Sequence, residues 1–294
     1  MRFTVAWVVL LAGCDVVLGL EDRSGRTCGA EDAFGPGAPV PIDGTYSVEA
    51  ARFDATQTIA YLSLCTQGDV MKTTCDLYQS TFTRVTNQLS FYAKLGVNVA
   101  GAYDSYATIT SDAQHLVFGS RRNNRLGTYV SIANGGQFTS AAAIRLIENE
   151  SFANEPYLSS DGQTLYLAGA AGGGTTGGDI YRARGGPPMF GAGADLVDGV
   201  NSASAEAAPV VSDDELEMLF SSDRESTGMP INMPLDIFVA SRTTTAEPFG
   251  TPKKLAAIST TDGIDWPVWL SPDGCDLYYI NKVADFATLL VTHR

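Results

Sequence analysis

Short apolar runs alternate with polar turns along most of the chain, and the alternation itself repeats. The stretch from Asn154 to Leu167 shows the unit. Glu155-Pro156-Tyr157-Leu158 leads into the turn Ser159-Ser160-Asp161-Gly162, and Thr164-Leu165-Tyr166-Leu167 leads out of it. A Gly-rich segment follows, then Gly178-Asp179-Ile180-Tyr181. Runs this short, rich in Tyr, Val, Ile and Phe and bounded by Gly, Asp, Asn or Ser, predict strands and tight turns. With the turn aspartate as anchor, the pattern recurs at Asp112, Asp214 and Asp273, and in a degenerate copy with Ala55 at the anchor position. In every copy apolar residues stand four and six places after the anchor.

Self-similarity at intervals of about fifty residues marks a repeat architecture and outranks local propensity. Each copy holds three strand-like runs. A fourth precedes each anchor: Phe34 to Ile42, a blurred one within Leu89 to Val99, Phe138 to Ile147, Phe190 to Val197, and Phe249 to Leu255. Four antiparallel strands repeated radially describe a propeller blade. The expected fold is therefore all-β, a β-propeller of about five four-stranded antiparallel blades, with six as the alternative.

The sequence Glu-Pro-x-Leu-Ser-x-Asp-Gly-x-x-Leu-Tyr followed by Asp-Ile-Tyr resembles the WD40-like Pro-Asp repeat of TolB-like periplasmic propellers. Ser271-Pro272-Asp273-Gly274 matches its core, as do Phe220-Ser221-Ser222-Asp223-Arg224 and Asp236-Ile237-Phe238. The resemblance covers roughly Phe34 to Arg294. The chain departs from it at Ala55 and in lacking the proline in the first two copies. Tol-type propellers usually have six blades, whereas five anchors are counted here.

The N-terminus carries a different signal. Met1-Arg2, an apolar run from Phe3 to Ala12, and Leu11-Ala12-Gly13-Cys14 read as a secretory signal rather than a spanning helix, which needs about 20 residues. The Cys directly after Leu-Ala-Gly looks like a bacterial lipobox, with Cys14 as lipid attachment site. The expected organisation is a signal peptide over 1–13, a tether over 14–41 and a propeller over 42–294. The expected location is the bacterial cell envelope, lipid-anchored on the periplasmic or outer-membrane side. A net charge of −14 and a pI near 4.4 argue against a nucleic-acid partner.

With Cys14 lipidated, four cysteines remain, and an even number in an exported chain favours disulfides. Cys65 closes the second strand of the first copy and Cys75 opens its third, so these two should pair across a hairpin loop. That leaves Cys28 with Cys275. Their spacing, with no His nearby, is not that of a zinc site, so no metal is expected.

Candidate chemistry is sparse. There is no Gly-x-Ser-x-Gly elbow, and His115 and His293 are the only histidines. The Gly-rich run from Ala168 to Gly178 lacks the lysine and following helix of a phosphate loop, so no cofactor is expected. The turn aspartates read as turn chemistry. A second acidic series stands six or eight residues before the anchors: Glu49, Asp104, Glu155, Glu206 and Asp265. It falls where the innermost strands begin, at one mouth of the central channel. Bridges to Arg121, Arg224 and Lys282, leaving the second strands at the same rim, are the favoured role; binding of a cation or a basic partner is the other. Trp266 and Trp269 are placed near that mouth, with Tyr106 and Tyr157. The long connections Leu64 to Asp76, Arg121 to Gly127, Ala168 to Gly178 and Ser222 to Leu235 rise there too, and such loops concentrate function on a rigid scaffold. These features favour a non-enzymatic envelope protein that binds a protein, peptide or glycan partner through this rim. The alternative is a glycan-active enzyme using paired channel carboxylates.

Overall fold

A computed structural model describes residues 27–29, 31–42, 46–66, 75–122, 125–148, 150–171, 178–191, 193–225, 235–260 and 263–294. The expected signal peptide and Cys14 lie outside these. A two-residue strand, β1 (Ala38–Pro39), comes first. Blade one is β2 (Tyr46–Phe53), β3 (Ile59–Thr66), β4 (Cys75–Thr83) and β5 (Gln88–Lys94). Blade two is β6 (Asp104–Ile109), β7 (His115–Ser120), β8 (Gly127–Ile132) and β9 (Ala142–Ile144). Blade three is β10 (Glu150–Leu158), β11 (Thr164–Ala171), β12 (Asp179–Arg184) and β13 (Asp195–Leu196). Blade four is β14 (Glu206–Val211), β15 (Glu217–Ser222), β16 (Asp236–Ser241) and β17 (Lys253–Lys254). Blade five is β18 (Ile264–Leu270), β19 (Asp276–Val283) and β20 (Phe286–His293), completed by β1. The chain is thus an all-β, five-bladed propeller of four-stranded antiparallel sheets.

The closure corrects two expectations. The apolar run before each anchor pairs with the preceding blade: Ala142, inside the Phe138 to Ile147 run, sits opposite Val130 of blade two. The run from Phe34 to Ile42 accordingly completes the last blade, with Ala38 opposite Val291 and Pro39 opposite Leu290. Residues 27–29 and 31–41, expected in the tether, are therefore built into the ring. Gly35 N–H donates to His293 O at 3.0 Å, and a Cys28–Cys275 disulfide joins the segment to the turn of blade five. Sealing the circle with a strand from the opposite end of the chain makes blade five depend on both ends of the fold.

The turns explain the repeat. In blade three Ser159 Oγ donates to Asp161 Oδ1 at 2.7 Å and accepts from Thr164 N–H at 2.9 Å, while Asp161 Oδ1 also accepts from Gln163 N–H. Thr110–Asp112, Ser212–Asp214 and Ser271–Asp273 make the same pairs. In blade one the two residue types exchange places. Asp54 takes the hydroxyl position and accepts from Thr58 and Ile59 N–H, and Thr56 donates to it. The anchor of the first copy is therefore Thr56 rather than Ala55, a shift of one residue that apolar spacing alone does not detect.

Apolar faces of neighbouring blades pack together as the core. Between blades five and one, Phe53 packs in tilted contact with Phe82, Trp269 and Tyr278, ring centroids 4.4, 4.7 and 4.8 Å apart. Each inner strand also slips register near its middle, between Val48 and Ala50, Ser105 and Thr108, Asn154 and Tyr157, Ala207 and Val210, and Pro267 and Trp269. Tyr106, Glu155 and Ala208 sit in these slips with φ of 52°, 55° and 48°. A bulge of this kind re-aims side chains, and here it does so beside the central channel.

Candidate functional site

The five acids of the sequence pattern do not form one ring. Counted from the corrected anchors, Asp104, Glu206 and Asp265 occupy equivalent positions eight residues ahead, whereas Glu49 stands seven ahead and Glu155 six. The first three are fully buried. Asp104 accepts from Ser120 Oγ, from Arg122 Nη2 at 2.8 Å and from Val99 N–H at 3.0 Å. Glu206 repeats this with Ser222, Arg224 Nη2 at 2.9 Å and Ser202 N–H at 3.0 Å. Each arginine also lies over two aromatic rings, Phe118 and Tyr129 in blade two and Phe220 and Phe238 in blade four.

Asp265 differs in lacking a basic partner among its hydrogen bonds. Thr260 N–H and Asn281 Nδ2 donate to it at 2.6 and 2.8 Å, so burial, helped by Asp236, still holds its pKa above the ordinary range against these bonds. The basic partners thus depart from the expected set. Arg224 is where the pattern put it, Arg122 takes the role expected of Arg121, and Asn281 stands where Lys282 was expected. Ser-x-Arg after the second strand is the signal that identifies two of these clasps, and the pattern read only the charge.

Sequence reasoning also missed two asparagines. Asn98 accepts from Leu77 N–H at 2.7 Å and donates to Leu77 O at 2.9 Å, so it tethers the approach to blade two onto blade one's third strand. Asn201 does the same with Ile180 between blades three and four. A lone Asn in a loop gives no such signal without its register.

Glu49 and Glu155 remain at the channel. They line a hollow of about 200 Å³ at the mouth where the inner strands begin, with Tyr106, Ala208, Trp266 and Lys282. Glu155 Oε2 accepts from Ala208 N–H at 2.6 Å, and Trp266 Nε1 donates to Glu49 O at 2.9 Å. Burial, then the charge of Glu155, holds the Tyr106 hydroxyl well above its ordinary pKa, so it stays protonated. This mouth therefore gathers two carboxylates, a phenol and an indole round one hollow. The longest rim connections (67–74, 123–124, 172–177 and 226–234) fall outside the described residues.

Trp269 is not at this mouth. It is core to the blade-five and blade-one junction and borders a separate cavity of about 190 Å³ at the turn-side mouth. Tyr157 lines that same cavity, with Arg52, Thr108 and Asp213. Cys65 and Cys75 are joined by a disulfide at the base of the first blade's loop, as Cys28 and Cys275 are at the ring closure. Among the described residues, no three His, Cys, Asp or Glu side chains are grouped to hold a metal ion.

No family model matches the sequence, and no curated protein matches it. Solved structures do share the fold. A putative TolB from Agrobacterium tumefaciens superposes with a TM-score of 0.51 at 14% identity, over 82% of this chain and 72% of that one. TolB from Acinetobacter baumannii gives 0.50 at 12%, over 86% of this chain and 56% of that one. The catalytic domain of a GH62 α-L-arabinofuranosidase from Coprinopsis cinerea gives 0.51 at 12%, over 89% and 96%. At these identities the likeness is one of fold, and fold does not fix function.

Proposed function

We propose that this protein is a non-enzymatic, lipid-anchored component of the bacterial cell envelope. Its propeller binds a protein, peptide or glycan partner through the mouth bearing Glu49, Glu155, Tyr106 and Trp266. The observation that carries the reading is that Glu49, Tyr106, Glu155 and Trp266 line one hollow at the channel mouth. Asp104 and Glu206 are consumed by hydrogen bonds and an arginine each, and Asp265 by Thr260 and Asn281, so the most buried carboxylates serve the scaffold. What faces the mouth is a mixed acidic and aromatic surface, suited to a cationic side chain or a sugar ring. Two disulfides fit an oxidising compartment. The TolB likeness is consistent with an envelope propeller, and the lipobox-like Leu11-Ala12-Gly13-Cys14 supplies the anchor.

The test is quantitative capture from envelope extract by the full chain, solubilised from membranes in mild detergent. The paired changes Glu49→Gln and Glu155→Gln should weaken binding of the captured partner and flatten its salt dependence. Unchanged affinity and salt slope would overturn the reading.

A second reading rests on one observation, that Glu49 and Glu155 line the same hollow. Two carboxyls flanking a sugar are the equipment of glycoside hydrolysis, and an arabinofuranosidase shares the fold. Release of nitrophenol from an aryl α-L-arabinofuranoside, lost in Glu49→Gln or Glu155→Gln, would favour it over binding alone.

A further inference from the structure

The turn-side mouth of the channel holds a group that the scaffold does not explain. Arg52 leaves the inner strand of blade one four residues ahead of the corrected anchor, level with Thr108, Tyr157, Val210 and Trp269. It is 2% exposed, and its Nε, Nη1 and Nη2 all lack a hydrogen-bond partner. Its guanidinium lies 4.4 Å from the centre of the Tyr157 ring. Stacking on a ring compensates part of the lost hydration, but it satisfies none of the N–H donors. Buried donors and buried charges are otherwise paired almost without exception. Arg122, Arg224 and Arg294 show what a structural arginine looks like in this ring, since each is hydrogen-bonded to an acid as well as laid on an aromatic.

The cavity that Arg52 lines is narrow, and its walls define the ligand. A volume of about 190 Å³ is below the usual range for a whole drug-sized molecule and suits one small end group. Phe53, Tyr157 and Trp269 supply apolar and aromatic wall, and Thr108 adds a hydroxyl. Asp54 and Asp213 stand at the same cavity, and the whole chain carries a charge of −14. That field penalises a dianion such as phosphate more heavily than a single negative charge. A planar fork of donors matches a planar, singly charged, two-oxygen acceptor.

We propose that this cavity is a receptor for one carboxylate group, held by the Arg52 guanidinium while the adjoining part of the ligand packs on Tyr157 and Trp269. It lies at the opposite mouth from the rim proposed for the macromolecular partner and does not depend on that reading. Burial pushes the Arg52 pKa down to about 10, so the group stays charged at neutral pH. The carboxylate comes either from a small free acid or from the end of a peptide chain, and the two sources separate in one experiment.

The full chain in mild detergent is titrated calorimetrically with phenylacetate, with the tripeptide Gly-Gly-Phe, with the same tripeptide amidated at its C-terminus, and with inorganic phosphate. Phenylacetate, the free tripeptide or both should bind in the millimolar range or tighter, and the one that binds names the source. The amide and phosphate should not compete. Arg52→Met should weaken carboxylate binding by about thirtyfold or more, and it should raise the unliganded melting temperature, because an unpaired buried charge is gone. Arg52→Lys keeps the charge without the fork and should bind more weakly than wild type while remaining folded. Equal binding of acid and amide, tighter binding of phosphate, or no carboxylate binding to wild type would overturn the proposal. So would a lower melting temperature or failure to fold in Arg52→Met, since either makes the arginine structural.

Discussion

Asp104→Asn is the sharpest perturbation of the scaffold. The carboxylate accepts from three donors: Ser120 Oγ, Arg122 Nη2 and Val99 N–H. An amide of the same shape offers one acceptor oxygen and turns an N–H₂ toward at least one of those donors. Arg122 retains Ser120 Oγ and Val97 O as acceptors but loses its counter-charge, with its side chain only 11% exposed. Removing one partner of a buried pair costs about 3–5 kcal/mol. Unfolding entropy scales as about 2.1 cal/mol/K per residue, so for a ring of this size each kcal/mol is worth roughly 2 °C. The expected drop in melting temperature is therefore about 5–9 °C at neutral pH, read by near-ultraviolet circular dichroism.

Asp265→Asn is the built-in comparison, because Asp265 is equally buried but hydrogen-bonded to Thr260 and Asn281 instead of an arginine. Its raised pKa means the folded state takes up a proton more readily than the unfolded chain. The cost of ionised Asp265 is thus present above the folded pKa and is relieved as pH falls through it toward the unfolded value. An amide meets donors here too, since Thr260 Oγ1 also donates to Asp265, but it removes a charge that burial disfavours. The Asn variant should therefore cost clearly less than Asp104→Asn at pH 7, and its standing against wild type should worsen on acidification. Equal losses in Asp104→Asn and Asp265→Asn would refute the argument that the arginine clasp, rather than burial of an acid as such, holds the inner strands.

Three further outcomes are expected. Cys28→Ser should lower the unfolding midpoint more than Cys65→Ser, because the first bond closes nearly the whole chain and the second a short loop, worth about 5 against about 2–3 kcal/mol in a chain-entropy account; the reverse order in denaturant titration would count against closure by the N-terminal strand. Gly199→Ala should cost about 3 kcal/mol or more, since φ is +88° and a Cβ there would come within 1.9 Å of Phe249 O; a melting temperature within a degree of wild type would contradict the tight crossing at that corner. Cys14→Ser should release the protein from sedimenting membranes, and unchanged sedimentation after detergent-free lysis would remove the lipid anchor from the proposed function.

The blade count and the strand chemistry were legible because they rest on local spacing. The Ser-x-Asp turn and the apolar residues four and six places on are fixed by hydrogen bonds within one hairpin, so a single sequence displays them. What was not legible depends on comparing blades in space. The shift from Ala55 to Thr56 hides because Asp54 and Thr56 exchange hydrogen-bonding roles while the turn keeps its shape. That one residue matters beyond bookkeeping. In the uncorrected register Arg52 stands level with Leu158 of blade three; in the true register it stands level with Tyr157 and Trp269 at the channel. The acids show the converse. Five carboxylates near one end look like a ring in the sequence, but a step of one or two residues across a bulge separates side chains clasped between strands from side chains at the channel. Register in this fold is therefore the variable that decides which charged residue is structural. The residue it brings into view is a buried guanidinium none of whose three nitrogens has an acceptor among the described residues.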